Sequence, residues 1–173
     1  SDDDWVATGA GFTDSSIRLW RAADGAPAGR LEGHRAWVAA LCFAPGSALL
    51  ASGSADQTIR LWHPPTGALR ATLRGHLSEI WSLAFLPDGR MLVTQKQGTM
   101  VLLSSDGATL LATLTGVPAV DTSGQGGLLD VAVDPQFDAV THPWVYWTYA
   151  EAGVVGKGTA VARGRLVGTA LLD

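Results

Sequence analysis

The first half of the chain repeats itself at an offset of 42 residues. The segment DSSIRLW at 14–20 recurs as DQTIRLW at 56–62. Glycine and histidine markers keep the same register without a gap, in the pairs Gly11 and Gly53, Gly25 and Gly67, and Gly33-His34 and Gly75-His76. A repeat of about 40 to 45 residues is the length of one four-stranded propeller blade. The chain is therefore expected to be a stack of small sheets.

Each repeat also has the sequence pattern of four short strands separated by turns. Apolar and β-branched stretches at 37–43, 49–53, 58–62 and 69–73 alternate with segments rich in glycine, proline and aspartate. Signals for the start of a helix are few. The sequence predicts an all-β fold, a β-propeller segment of about three and a half four-stranded blades.

Composition and charge limit the classes of partner that this protein is expected to bind. The chain has 173 residues, 47% of them hydrophobic and 16% charged, which suffices for one globular core. The formal net charge of -4 provides no basic face for phosphates or anionic lipid, so nucleic acid and membrane are not expected as partners. Without an apolar stretch long enough to cross a bilayer or a signal segment, we expect a soluble protein of unknown location. Cys42, in an apolar run, is expected to be buried and inert.

The repeat resembles the WD-repeat family. The resemblance rests on GH at 33–34, LASGSAD at 50–56 and TIRLW at 58–62. It implies that a loop histidine, a strand hydroxyl, a turn aspartate and a strand tryptophan form a hydrogen-bonded structural set. That set would comprise His34, Ser52, Asp56 and Trp62, with counterparts at Asp14, Trp20 and His76. The aspartate that follows the tryptophan in this family is replaced here by Arg21 and His63.

Beyond residue 77 the repeat loses its markers and other motifs begin. WSLAFLPDGRMLVT at 81–94, GQGGLLDVA at 124–132 and GTAVARGRL at 158–166 resemble the start of the soluble aldose sugar dehydrogenases. That family is a six-bladed propeller that uses pyrroloquinoline quinone and calcium. The chain is thus expected to divide into WD-type blades over 1–77 and dehydrogenase-like blades over 78–173.

The second resemblance implies one residue that faces the cofactor, Gln125 in the glycine-rich loop. The same loop is equally compatible with a flexible turn that leads into the apolar strand 128–133. The histidine base and the calcium ligands of the family belong to segments beyond those matched here. No catalytic residue and no metal ligand is therefore assigned, and His142 is interpreted as part of a connection between strands.

Two functions follow from these patterns. The first is a non-catalytic propeller module that needs no cofactor and presents loops to a protein partner, with Arg35, Trp37 and Glu79 as candidate contact residues. The alternative is part of an aldose dehydrogenase that uses pyrroloquinoline quinone and calcium and resides in the periplasm. Because closed propellers usually have four to eight blades, three and a half blades suggest either a homodimer that closes the ring or a fragment, hybrid or designed sequence.

Overall fold

The computed structural model of the chain describes residues 4–11, 13–46, 49–153 and 156–172. Over these residues the chain forms fifteen strands in four sheets of sequentially connected antiparallel strands. Three sheets have four strands and one has three, so the all-β propeller-segment fold is confirmed. The chain divides into two compact units, Ser1–Ile80 and Trp81–Asp173. The change of motif expected after residue 77 stays a prediction.

The first unit contains a three-stranded and a four-stranded sheet. The three-stranded sheet consists of β1 (Trp5–Gly9), β2 (Ile17–Arg21) and β3 (Pro27–Leu31). The four-stranded sheet consists of β4 (Val38–Phe43), β5 (Leu50–Ser54), β6 (Ile59–His63) and β7 (Ala68–Leu73). Alternation along a strand sends every second side chain inward. The buried core of this unit comprises Ile17, Leu19, Leu31, Val38, Leu50 and Trp62.

The second unit has two four-stranded sheets. One consists of β8 (Ile80–Phe85), β9 (Met91–Gln95), β10 (Thr99–Leu103) and β11 (Leu110–Thr113). The other consists of β12 (Leu128–Val133), β13 (Trp144–Ala152), β14 (Lys157–Val167) and β15 (Ala170–Leu172). Leu92, Met100, Leu128 and Val145 pack in one core shared by both sheets. β13 pairs with β14 from Trp144 opposite Arg165 to Ala152 opposite Lys157.

The register of the first sheet corrects one expectation. Thr8 pairs with Arg18 in the same way that Ser52 pairs with Arg60 in the next sheet. Thr8 therefore takes the place of Ser52, and Gly11, which the gapless repeat aligns with Gly53, lies in the loop after β1. The gapless register is wrong for β1 because Thr8 and Arg18 are two positions further apart in the sequence than Ser52 and Arg60.

Two further observations concern expectations from composition. The described part of the chain contains no helix with the length and apolarity needed to cross a membrane. The Cys42 side chain is half-buried instead of fully buried, and its thiol lies 3.6 Å from the carbonyl oxygen of Phe43.

Candidate functional site

Four side chains of the second sheet form one connected hydrogen-bond network. Trp62 donates its indole N–H to Ser52 Oγ at 2.8 Å, and that oxygen also lies 2.8 Å from His34 Nε2. His34 Nδ1 lies 3.0 Å from Asp56 Oδ2. A neutral imidazole that donates from Nδ1 and accepts at Nε2 satisfies every contact. The structure thus brings together the four residues that the WD resemblance groups.

The turn between β5 and β6 fixes the carboxylate of this network. Asp56 Oδ1 accepts hydrogen bonds from the Thr58 amide at 3.0 Å and from the Thr58 hydroxyl at 2.6 Å. Asp56 Oδ2 also accepts the Arg35 amide at 2.8 Å, which ties the loop before β4 to the turn. An aspartate that bonds the backbone two residues ahead is a local turn device. The network therefore links two loops and two strands.

The pKa values of the two ionisable groups in the network are both lower than usual. Burial lowers the pKa of His34, although Asp56 partly offsets the effect, so the imidazole is neutral at pH 7. Burial acts to raise the pKa of Asp56, but hydrogen bonds from Thr58, the Arg35 amide and His34 outweigh it and lower the pKa to about 2. A neutral histidine that is hydrogen-bonded to a buried carboxylate is typical of a network that stabilises the fold.

The first sheet carries part of the same arrangement. Trp20 donates its indole N–H to Thr8 Oγ1 at 3.1 Å, as Trp62 does to Ser52. Asp14 accepts the Ser16 amide at 3.0 Å and pairs with Arg30 Nη2 at 3.1 Å. The hydroxyl and amide of Ser16 hold the pKa of Asp14 below its usual value. Thr8 is a member that sequence reasoning missed, because the two extra positions between Thr8 and Arg18 hide its equivalence to Ser52.

His76 does not complete a network of this kind within its own unit. The described residues of Ser1–Ile80 provide no hydrogen bond to its ring, and burial lowers the pKa of the imidazole. The sequence explains the difference, because Gly98 stands where the repeat places the counterpart of Asp56. His76 thus keeps the position of His34 without the carboxylate that orients it.

The candidate partner-binding residues lie on loops of the first unit. The Arg35 side chain is exposed, whereas Trp37 and Glu79 are half-buried. The Trp37 carbonyl accepts a hydrogen bond from Ser54 Oγ at 2.9 Å, so the backbone of this loop is fixed at two points. Their role in binding a partner stays a prediction.

In the second unit, the glycine-rich loop before β12 is closed by hydrogen bonds. Asp121 Oδ1 accepts the Ser123 amide at 2.9 Å, and the Ser123 carbonyl accepts the Gly126 amide at 3.0 Å. A Cβ atom on Gly126 would lie 2.2 Å from the Asp121 carbonyl oxygen, so only glycine fits there. Gln125 is exposed at the tip of this loop.

A lysine from the hairpin of β13 and β14 holds the same loop. Lys157 Nζ lies 3.1 Å from Asp121 Oδ2 and also contacts the Ser123 hydroxyl. The Ser123 hydroxyl and amide, followed by Lys157, lower the pKa of Asp121 to about 2. Sequence reasoning missed these three residues. The D-T-S-G segment at 121–124 carries a turn signal, but no pattern points to a lysine 36 residues away.

Two further polar contacts stabilise this unit. Ser82 donates to Asp130 Oδ1 at 2.5 Å and accepts the Val131 amide at 3.3 Å, which joins β8 to β12. His142 Nε2 lies 3.3 Å from Asp134 Oδ2. The His142 contact holds the connection between β12 and β13, as a structural residue would.

Comparison with known proteins decides the family. The glucose/sorbosone dehydrogenase family matches residues 77–173, more than half of the chain. The chain belongs to this family. The WD domain, G-beta repeat family matches residues 25–63, where the hydrogen-bond network of His34 lies.

The relatives of this glucose/sorbosone dehydrogenase family member are much longer than the chain. Aldose sugar dehydrogenase YliI of Escherichia coli K12 is 46% identical over 77 residues, which are 44% of this chain and 20% of that protein. The uncharacterized protein slr1608 of Synechocystis is 35% identical over 93 residues, 49% of this chain and 22% of that protein. The chain therefore spans about a fifth of the length of these curated relatives.

A solved structure resembles nearly the whole chain. The crystal structure of the computationally designed Ika8 protein superposes with a TM-score of 0.71 at 26% identity. The match covers 99% of this chain and 46% of that one. The likeness extends over the sheets of both units.

The described residues of this family member do not form a complete site for a quinone and calcium. The glycine-rich loop supplies one exposed amide side chain, Gln125, which can donate a hydrogen bond to a carbonyl or hydroxyl oxygen. The described residues contain no cluster of three histidine, cysteine or acidic side chains that could hold a metal ion. Calcium prefers six to eight oxygen ligands. The donor set on these residues therefore fits neither group by itself.

Proposed function

We propose that the chain is part of a quinone-dependent oxidoreductase that oxidises aldose sugars, and that its second unit contributes the Gln125 loop to the binding face. The observation that carries the proposal is the closed loop 121–127, which exposes the Gln125 side chain at its tip. The family match and the likeness to an aldose sugar dehydrogenase support the reaction class.

The chemistry limits what this loop can do. Oxidation of a sugar C1 hydroxyl requires a base for the proton and an acceptor for the hydride. A glutamine amide provides neither, but it can orient an oxygen atom by a hydrogen bond. Lys157 and Ser123 hold the Asp121 carboxylate, so the loop reaches the ligand already ordered. Preorganisation of this kind reduces the entropy lost on binding. The role assigned to Gln125 is thus binding and orientation.

A binding experiment tests this role. Titration of the chain with pyrroloquinoline quinone, followed by calorimetry, should give weak binding that the Gln125→Ala substitution weakens at least threefold. Gln136→Ala is the matched control, because Gln136 is also exposed but lies beyond the other end of β12. Equal affinities for the wild-type chain and the Gln125→Ala variant would contradict the proposal, as would the absence of binding.

A second candidate function is the presentation of a loop to a protein partner. It is favoured by the segment 33–37, whose backbone is fixed by Asp56 and Ser54 while the Arg35 side chain stays exposed. A photo-crosslinking side chain at position 35 should capture one partner of defined mass. The same label at exposed Arg70 in β7 is the control, and equal capture from both positions would refute a specific site at Arg35.

A further inference from the structure

The strand β6 carries an arginine that has no acidic partner. Arg60 is half-buried, and its Nε atom is buried without a hydrogen bond. The described residues provide no ion pair for its guanidinium, whose Cζ lies 5.9 Å from the centroid of the Trp62 ring. Buried donors are seldom left without an acceptor, and a guanidinium matches a carboxylate in shape. Arg60 can therefore take an anionic group.

The first sheet shows how the same positions are neutralised there. Arg18 is the counterpart of Arg60 in the repeat, and it lies opposite Arg30 across β2 and β3. Asp14 lies 3.1 Å from Arg30 and 3.8 Å from Arg18. Arg30 Nε also lies 3.0 Å from Glu32 Oε1. Two carboxylates thus balance the two guanidinium groups.

The second sheet does not repeat this balance. Arg74 stands where the repeat has Glu32, so a positive charge replaces a negative one. Asp56 is the counterpart of Asp14, but its oxygen atoms accept hydrogen bonds within the network of His34. Arg74 is exposed and, within the part of the chain that the structure describes, has no ion pair.

The loop before β4 adds a third arginine at the same end of the sheet. The Arg35 amide bonds to Asp56 Oδ2, and the Arg35 side chain is exposed. Two positions earlier, Gly33 packs so closely on Arg60 that a Cβ atom would lie 2.2 Å from Nη1. The formal net charge of -4 does not offset these cations locally, because charges further away than about 8 Å are largely screened at physiological salt.

The strand register indicates the form of a matching ligand. Arg60 lies opposite Thr72 in β7, and Arg74 follows Thr72 by two positions. Residues two positions apart in extended chain point to the same side and are about 6–7 Å apart. Two acidic residues separated by one position in an extended peptide have the same spacing. Each guanidinium can then meet one carboxylate.

We propose that Arg60 and Arg74, with Arg35 beside them, bind an acidic segment of a protein partner that is extended and carries a carboxylate on every second residue. Charge complementarity selects this occupant, because each carboxylate accepts charge-assisted hydrogen bonds from one guanidinium. The inference rests on the second candidate function and names the chemistry of the partner. Capture of a partner from position 35 that ignores Arg60 and Arg74 would keep that function and remove this inference.

A peptide of alternating alanine and glutamate, blocked at both ends, is the probe, and calorimetry at low salt measures its binding to the chain. We expect saturable binding that weakens at least fivefold when glutamine replaces glutamate in the peptide. Arg74→Gln should weaken binding at least threefold, and Arg60→Lys should do the same because lysine lacks the planar fork. Arg21→Gln is the charge-matched control and should leave the affinity within about twofold, since Arg21 lies at the other end of β2 and pairs with Asp24.

Several outcomes would overturn the proposal. Equal binding of the glutamate and glutamine peptides would remove the role of charge, and no binding at about 1 mM peptide would exclude the site. Displacement of the peptide by an equal concentration of inorganic phosphate would indicate a site for a small oxyanion. A concentration-dependent dimer in sedimentation that Arg74→Gln removes would identify a second copy as the occupant. The exchange of glutamate for glutamine needs no mutation of the protein, so the test does not depend on the fold of a variant.

Discussion

Trp62 donates its indole N–H to the Ser52 hydroxyl at 2.8 Å, from one strand to the next, with both side chains buried. The same hydroxyl contacts His34, so a single oxygen atom orients two aromatic side chains. Loss of that oxygen leaves two buried nitrogen atoms without partners.

Ser52→Ala should therefore lower the free energy of unfolding of the first unit by about 2–4 kcal/mol, because two buried polar groups lose their partner. Urea denaturation followed by tryptophan fluorescence measures the change. Thr8→Ala provides the matched comparison. Thr8 is exposed and accepts one hydrogen bond from Trp20, so its loss should cost less than about 1 kcal/mol. Equal costs at the two positions would refute the buried network as the source of the stability.

The stability of the first unit should depend on pH in two steps. The folded state lowers the pKa of His34 and His76 below the usual 6.5, so the unfolded chain binds protons first as the pH falls. The free energy of unfolding is therefore highest above pH 6.5 and declines below it. A second loss of about 1–2 kcal/mol follows between pH 3.8 and about 2, where Asp56 becomes protonated.

Denaturation curves from pH 8 to 2 check both steps. Asp56→Asn should reduce the step in the acidic range and leave the part due to Asp14, although the variant is less stable at neutral pH. A free energy of unfolding that stays constant between pH 7 and 5 would contradict the effect of burial on the two histidines.

Gly126→Ala should destabilise the second unit by about 1–3 kcal/mol, because the added methyl group meets a backbone oxygen that cannot rotate away. Gly29→Ala in β3 is the control, since a Cβ atom there meets nothing within 4 Å and glycine weakens a strand interior. Thermal unfolding by circular dichroism distinguishes the two variants. Similar melting temperatures would show that the loop 121–127 adjusts freely.

Lys157→Met should raise the pKa of Asp121 from about 2 without restoring the usual 3.8, because the Ser123 hydroxyl and amide remain. Ser123→Ala should also raise the pKa, since the hydrogen bond from this hydroxyl is the largest single cause of the low value. Carboxyl chemical shifts in a carbon-13 NMR titration give both values. A pKa of Asp121 that stays near 2 in either variant would contradict the contacts assigned to that residue.

Much of the fold could be predicted because the repeat carries its own period. The strand at 128–133 coincides with β12, and the pattern of Asp56 and Trp62 located β5 and β6 to within a residue or two. The register of β1 could not be obtained in this way. A count of residues assumes equal loops, whereas the pairing of Thr8 with Arg18 depends on the sheet.

The residues of the candidate site also differ in whether they could be predicted from the sequence. His34, Ser52, Asp56 and Trp62 follow from the resemblance to the WD-repeat family, whose motifs stand in the sequence. The ion pair that holds the Gln125 loop does not, because it joins Asp121 to Lys157, which belongs to a separate hairpin. Contacts between distant segments leave no periodic signal in a single sequence.

The unequal loops of the first two sheets show how much length such a sheet tolerates. Trp20 meets its hydroxyl partner 12 positions earlier and Trp62 meets its partner 10 positions earlier, yet both indoles end at 2.8–3.1 Å from an oxygen. The hydrogen bond between indole and hydroxyl is the same in both sheets, although the connection is longer in the first. Insertions ahead of Asp56, in the turn between β5 and β6, offer a route for engineering a new binding surface onto this scaffold while Asp56 and Trp62 keep their spacing.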